Sequence, residues 1–159
     1  MKRTTNMYLE RAWQIVDQNL YGTLATVTAD GLPWVSPVRV VHDDQLRFYW
    51  FSDRMNQHSV NVRYLPRAAM VLFDSTVPEG QGRGLYLAGQ VQELSDPQLI
   101  SLARTIKKGE AGDPNDFLGP AVRRVYQLQP ERIWTNDVEI RDGRFIRDFR
   151  VELRLADLL

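Results

Sequence analysis

Between Thr23 and Phe51, three strand-like runs are joined only by tight turns, Ala29-Asp30-Gly31-Leu32 and His42-Asp43-Asp44-Gln45. A parallel pair needs a crossover of about a dozen residues or more, so runs connected this closely pair antiparallel. Thr23 to Thr28 alternates Leu24, Thr26 and Thr28 against Thr23, Ala25 and Val27, the period-2 pattern of a half-buried strand. Asp30-Gly31 supplies the positive φ that such a turn requires. Trp34 to Val41 is the return strand, and Pro37 within it implies an edge or bulge position, because proline removes a ladder donor. Leu46 to Phe51 is the third strand.

The rest of the chain follows the same rule. Asn6 to Gln18 reads as an amphipathic helix with Met7, Trp13, Val16 and Leu20 at roughly helical spacing, and Leu9 and Ile15 near them. Thr4, Thr5 or Asn6 is expected to cap it. Ala68 to Asp74 and Leu85 to Leu94 are further strands, with Gly89 a candidate bulge, separated by the loop STVPEGQGRG. Ser95 or Asp96 caps a helix in which Pro97 costs little, because its missing N–H would be unpaired there anyway. Leu99, Leu102, Ala103 and Ile106 form its expected apolar face, and Lys107, Lys108 and Gly109 end it. Asp116 is placed to cap a short helix to Arg124. Val125 to Leu128, Arg132 to Asn136 and a hairpin about Arg141-Asp142-Gly143-Arg144 complete the list. The expectation is a single domain over residues 1–159, mainly β with α. It has a six- to seven-stranded antiparallel barrel with flanking helices, because closure removes sheet edges.

Composition narrows the function. Lysine plus arginine equals aspartate plus glutamate, 20 each, so no overall charge points to nucleic acid or a membrane surface. Cysteine is absent, and the only histidines are His42 and His58. That removes disulfides, thiolate catalysis and cysteine-based zinc sites, and makes no metal site the expectation. The opening MKRTTNMYLERAW shows no apolar run before a small-residue cleavage site, and no stretch is long enough to span a bilayer. A cytoplasmic protein is expected.

The segment LRFYWFSDRMNQHSVNVRYLPRAAMVLFDS carries the chemistry. An aromatic strand ends at Ser52, a short polar helix brings Gln57, His58 and Asn61 within a turn, and a second strand follows Pro66. A helix N-terminus offers free N–H groups and a favourable dipole, so this unit is a candidate anion site. Read alone, His58 is a solvated helix histidine; beside Ser52, Gln57 and Asn61 it becomes a ligand contact. Arg54 and Arg63 read as surface or ion-pair residues. Tyr49, Trp50, Trp13 and Trp34 read as core or interface aromatics. No Ser-His-Asp arrangement is present.

With these residues in view, the chain resembles the pyridoxamine 5′-phosphate oxidase-like, FMN-binding split-barrel family. LATVTADGLPWVSPV resembles its opening hairpin. FYWFSDRMNQHSVNVRYLPRAAMVLFD resembles its strand, phosphate-binding helix, turn and following strand. GRGLYLAGQVQEL resembles the next strand, and RIWTND a C-terminal strand whose tryptophan lies near the flavin. The likeness runs from Leu20 to Leu153. It implies a split barrel, a homodimer with sites at the interface, FMN as cofactor and an oxidoreductase acting on a small molecule. It further implies that Ser36, Pro37 and Val38 run beside the flavin ring, that Phe51 and Ser52 touch ring and ribityl chain, and that Asn56, Gln57 and His58 stand at the phosphate motif. Asn61 and Trp134 complete the implied cofactor-binding set; no catalytic residue is implied. Two departures stand out. His58 replaces a permanently charged side chain, and the stretch GRFIRDFRVEL lacks the histidine with which the namesake enzyme reads its substrate's phosphate. The second argues against pyridoxamine 5′-phosphate as substrate. A flavin- or haem-binding module without turnover and a deazaflavin-dependent reductase are the alternatives.

Overall fold

The structure is a computed structural model that describes residues 2–159, with side chains described from Met7 onward. Among these residues, α1 (Lys2–Gln18) is followed by β1 (Tyr21–Val27), β2 (Pro33–Arg39), the two-residue β3 (Val41–His42) and β4 (Phe48–Asp53). Then come α2 (Gln57–Tyr64), β5 (Arg67–Phe73), β6 (Gly84–Glu93), α3 (Pro97–Lys108), a 3-10 turn (Pro114–Phe117), β7 (Arg123–Arg141), β8 (Arg144–Leu153) and α4 (Leu155–Leu158). The strands form one antiparallel sheet in the order β2-β1-β5-β6-β7-β4-β3, with β8 added to β7.

The described strands number eight, against six or seven expected. One reason is that the return strand breaks after Arg39 and Val41–His42 pairs separately with β4. The other is that the two expected C-terminal strands fuse into the 19-residue β7, which then turns back as β8. That hairpin turns at Asp142 and Gly143, both at positive φ (51° and 74°), the geometry an Asp-Gly pair suits. β7 is the spine. Its first half pairs β4 on one side and β6 on the other, and its second half pairs β6 and β8.

Strand pairing does not close the barrel. β2 pairs only β1, and β4 beyond Tyr49 pairs only β7, so two free edges remain. Pro37 lies on the first of these edges, where its missing donor costs nothing. Helix α2 packs against β1, β2 and β6 at this split. Gly89 marks the register shift between β6 and β7, and any Cβ there would collide with the carbonyl of Gln129.

One core fills the barrel, built on Leu24, Phe48, Trp50, Leu72, Leu87, Leu128 and Ile133, with Ala12, Ile15 and Val16 of α1 against it. Met7 and Leu20, expected on that face of α1, are 43% and 61% exposed. The helix starts at Lys2 rather than Asn6, and the side chains of Thr4, Thr5 and Asn6, expected to cap it, lie outside the described residues. A second core lies under α3, from Tyr49, Leu94, Ile100, Ala103, Phe117 and Val125. Asp96 caps α3 through the amide of Gln98. The inward face of α3 is Ile100 and Ala103, while Leu102 and Ile106 are exposed. Spacing alone does not separate two apolar stripes about 100° apart. Asp113, not Asp116, caps the 3-10 turn, which ends at Phe117 rather than running to Arg124. Leu46 is a turn residue at φ 53° and buried, not the start of a strand. Asp43 tightens that turn by accepting the amides of Gln45 and Arg47 and the hydroxyl of Tyr49.

Candidate functional site at the split of the barrel

The two free edges are bridged by one side chain. The edge strand β2 presents Ser36 and the strand β4 presents Ser52. Between them lies His58, one residue into α2. Its Nε2 is 2.8 Å from Ser52 Oγ and its Nδ1 is 3.2 Å from Ser36 Oγ. The chain of bonds extends at both ends: Trp34 Nε1 donates to Ser36 Oγ at 3.1 Å, and Asn56 Nδ2 donates to Ser52 Oγ at 2.8 Å. A neighbouring pair of bonds locks the helix to β1: Gln57 donates to Asn61 Oδ1 at 2.7 Å, and Asn61 Nδ2 donates to Thr26 Oγ1 at 2.9 Å.

Local sequence explains the placement. Ser52 follows the aromatic run on β4 and faces inward, with only 7% of its surface exposed. Asp53 accepts the amide of Met55 and turns the chain into α2. Asn56 stands at the N-cap position, but its side chain is committed to Ser52 and makes no capping bond. The first N–H groups of α2 therefore have no side-chain acceptor. Such orphan donors, with the positive end of the helix dipole, suit an anion.

Burial lowers the pKa of His58 below its ordinary value, and no carboxylate takes part in the network to oppose that. The ring is therefore neutral at pH 7. A neutral imidazole satisfies both serines by donating to one and accepting from the other. The arrangement thus offers neutral donors and a helix terminus rather than a cation. Arg63, which could have supplied charge, donates instead to the Arg54 carbonyl at 2.6 Å and pairs with Glu93 at 3.5 Å.

Of the residues singled out in the sequence, Ser36, Ser52, Asn56 and His58 form one network, with Gln57 and Asn61 beside it. Val38 is buried in the barrel core. Pro37 is exposed on β2. Phe51 points to the opposite side of β4 from Ser52, edge-on to Phe117 at 5.1 Å. Trp134 is on the outer face of the sheet, in register with Tyr86. There it lines an open groove of about 370 Å³ with Thr23, Ala25, Ala69, Val71, Ala88 and Arg150, and Arg132 covers its ring at 4.5 Å. Thr26 and Trp34 join the networks without having been singled out as ligands. The signal for Thr26 is a hydroxyl on the inward phase of β1. Trp34 is 44% exposed, and nothing in the sequence ties its indole to Ser36.

The family model for pyridoxamine 5′-phosphate oxidase matches residues 9–137. No curated protein matches significantly. Among solved structures, the chain is similar to a haem binding protein from Mycobacterium smegmatis (TM-score 0.68, 21% identity), covering 91% of this chain and 57% of that one. The chain thus spans little more than half of that relative's length. It is also similar to HutZ, the haem storage protein of Vibrio cholerae (TM-score 0.61, 18% identity, 78% of this chain and 91% of that one). A third likeness is to the general stress protein 26 of Bacillus anthracis (TM-score 0.59, 18% identity, 87% and 97%). Identities this low bear on the fold alone.

Proposed function

This chain belongs to the pyridoxamine 5′-phosphate oxidase family, and from that premise we propose that it is an FMN-binding oxidoreductase acting on a small molecule as a homodimer. The observation that carries this reading is the uncapped N-terminus of α2, flanked by Ser52, Asn56 and the neutral His58. Hydroxyl, amide and backbone N–H donors fit a phosphate monoester, which needs donors more than it needs a full cation. Helix α2 orients the group, the Ser36–His58–Ser52 bridge holds the two edges at fixed separation, and Asn61 fixes the helix against β1. When bound, FMN would supply two-electron redox chemistry, and the protein would supply orientation and electrostatics. The site contains no general acid or base with a raised or lowered pKa except His58, whose neutral ring suits hydrogen bonding over charge transfer. The homodimer would use the outer face of β1, β5 and β6, where Ala25, Ala69, Val71 and Ala88 leave a shallow apolar groove beside Trp134.

A second reading is favoured by one observation: the network contains no lysine or arginine. A flavin- or haem-binding module without turnover, or a deazaflavin-dependent reductase, would need no cation at this helix. Two haem-binding relatives share the fold. Both nitrogens of His58 are engaged, and those of His42 lie against Asp17 and the Asp43 carbonyl, so neither histidine presents a free nitrogen to iron.

The test is the visible spectrum of the purified, desalted protein, before and after addition of FMN and removal of excess. Flavin bands that elute with a dimer support the proposal, and loss of FMN retention in His58→Ala ties it to this site. A colourless protein that retains no FMN refutes it, and a Soret band moves the assignment to haem.

A further inference from the structure

On the opposite side of β4 from Ser52, the Phe51 ring carries a cation: Lys107 Nζ sits 4.3 Å from its centroid. Lys107 reaches it because α3 turns Ile100 and Ala103 inward and residue 107 continues that face. More positive charge converges there. Arg123 opens β7 opposite Asp53, so its side chain shares a face with Phe51 and Val125. Arg39 closes β2. Lys107 experiences the charges of Arg123, Arg39, Lys108 and Arg104, and these together with burial lower its pKa to about 8.

Nothing described neutralises the group. Lys107, Arg39 and Arg123 form no ion pair. Asp53 turns to the amide of Met55, and Glu110 meets only Arg104, at 3.6 Å. Arg104 still has a buried Nε without a partner. Like charges gathered without counter-charge cost stability and are retained where an anion compensates them. Two guanidinium groups and an ammonium suit a phosphate better than a single carboxylate, because planar forks bind its oxygens in pairs while the lysine adds a point charge.

We propose that Arg39, Lys107 and Arg123, gathered about Phe51, form an anion site for a phosphate-class dianion, separate from the Ser36–His58–Ser52 network. Its occupant neutralises the cluster and docks α3 onto β4.

The test is titration calorimetry of the full chain with inorganic phosphate at pH 7 and low salt, with FMN present and absent. Saturable binding is expected, at least tenfold weaker in Arg39→Gln/Arg123→Gln and unchanged in Arg144→Gln at the β7–β8 turn. Both arginines are exposed, so the variant should keep its thermal midpoint without phosphate. Acetate should bind at least tenfold more weakly than phosphate. Absence of saturable phosphate binding, equal affinity in the double variant, or equal binding of acetate overturns the assignment. Phosphate binding that persists with FMN bound separates this site from the one at α2. Competition between them refutes the separation.

Discussion

Substituting Ser52 by alanine tests the bridge across the split more directly than any change to the histidine. Ser52 Oγ holds His58 Nε2 at 2.8 Å and accepts Asn56 Nδ2 at 2.8 Å. His58 is 7% exposed, so its nitrogen would lose a partner that water does not replace. Asn56 is exposed and recovers a solvent bond. The cost is then dominated by one unsatisfied buried nitrogen, about 2 kcal/mol. For a chain of this size that lowers the thermal midpoint by about 4–8 °C. Ser36→Ala should cost less, about 1 kcal/mol, because its bond to His58 is longer (3.2 Å) and Ser36 is only half-buried. Urea unfolding at pH 7 of wild type, both single variants and the double variant gives the coupling between the serines across the ring. If each edge depends on the same imidazole, the double variant costs less than the sum, since the second serine then joins an already broken bridge. The pH profile adds a signature. The folded pKa of His58 is lowered, so the unfolded chain binds more protons between that value and about 6.5. Stability should therefore fall as pH drops through that window, and His58→Gln should flatten it. Ser52→Ala within about 0.5 kcal/mol of wild type would refute the bridge.

Other outcomes can be checked together. Gly89→Ala forces a Cβ into the Gln129 backbone at the β6–β7 register shift; it should cost more than about 3 kcal/mol by urea unfolding, because backbone cannot step aside. Lys107→Met should raise the thermal midpoint at pH 7. Its folded pKa of about 8 lies below the unfolded 10.5, so wild-type stability rises between those values as the unfolded chain holds the extra proton, and the variant lacks that rise. Arg124→Ala should cost about 3–5 kcal/mol, seen as loss of cooperative unfolding at lower urea. The buried guanidinium ties Glu93 at 2.9 Å and the carbonyls of Phe117, Gly119 and Ala121 together, and its loss leaves all of them unpaired.

Antiparallel architecture, the Asp-Gly hairpins, the Asp96 cap and the glycine at the β6 irregularity were legible in the sequence, because each depends on neighbours within a few residues. So was the grouping of Ser52, Asn56, Gln57, His58 and Asn61, which follow one another through a strand end and a helix turn. Ser36 entered the site expectation through family likeness rather than through spacing. The strand count, the inward faces of α1 and α3 and the cap of the 3-10 turn were not legible, because partners distant in sequence choose among stripes that local pattern leaves equal. Tertiary structure alone brings Ser36, 22 residues from His58, onto its second nitrogen. It alone turns Phe51 and Trp134 away from that network and gathers Arg39, Lys107 and Arg123 about one ring. The sequence by itself determined which short-range elements form and which donors they carry. The closing of those elements around a split barrel decided which donors face one another, since a sheet edge finds its partner only once every strand between has been laid down.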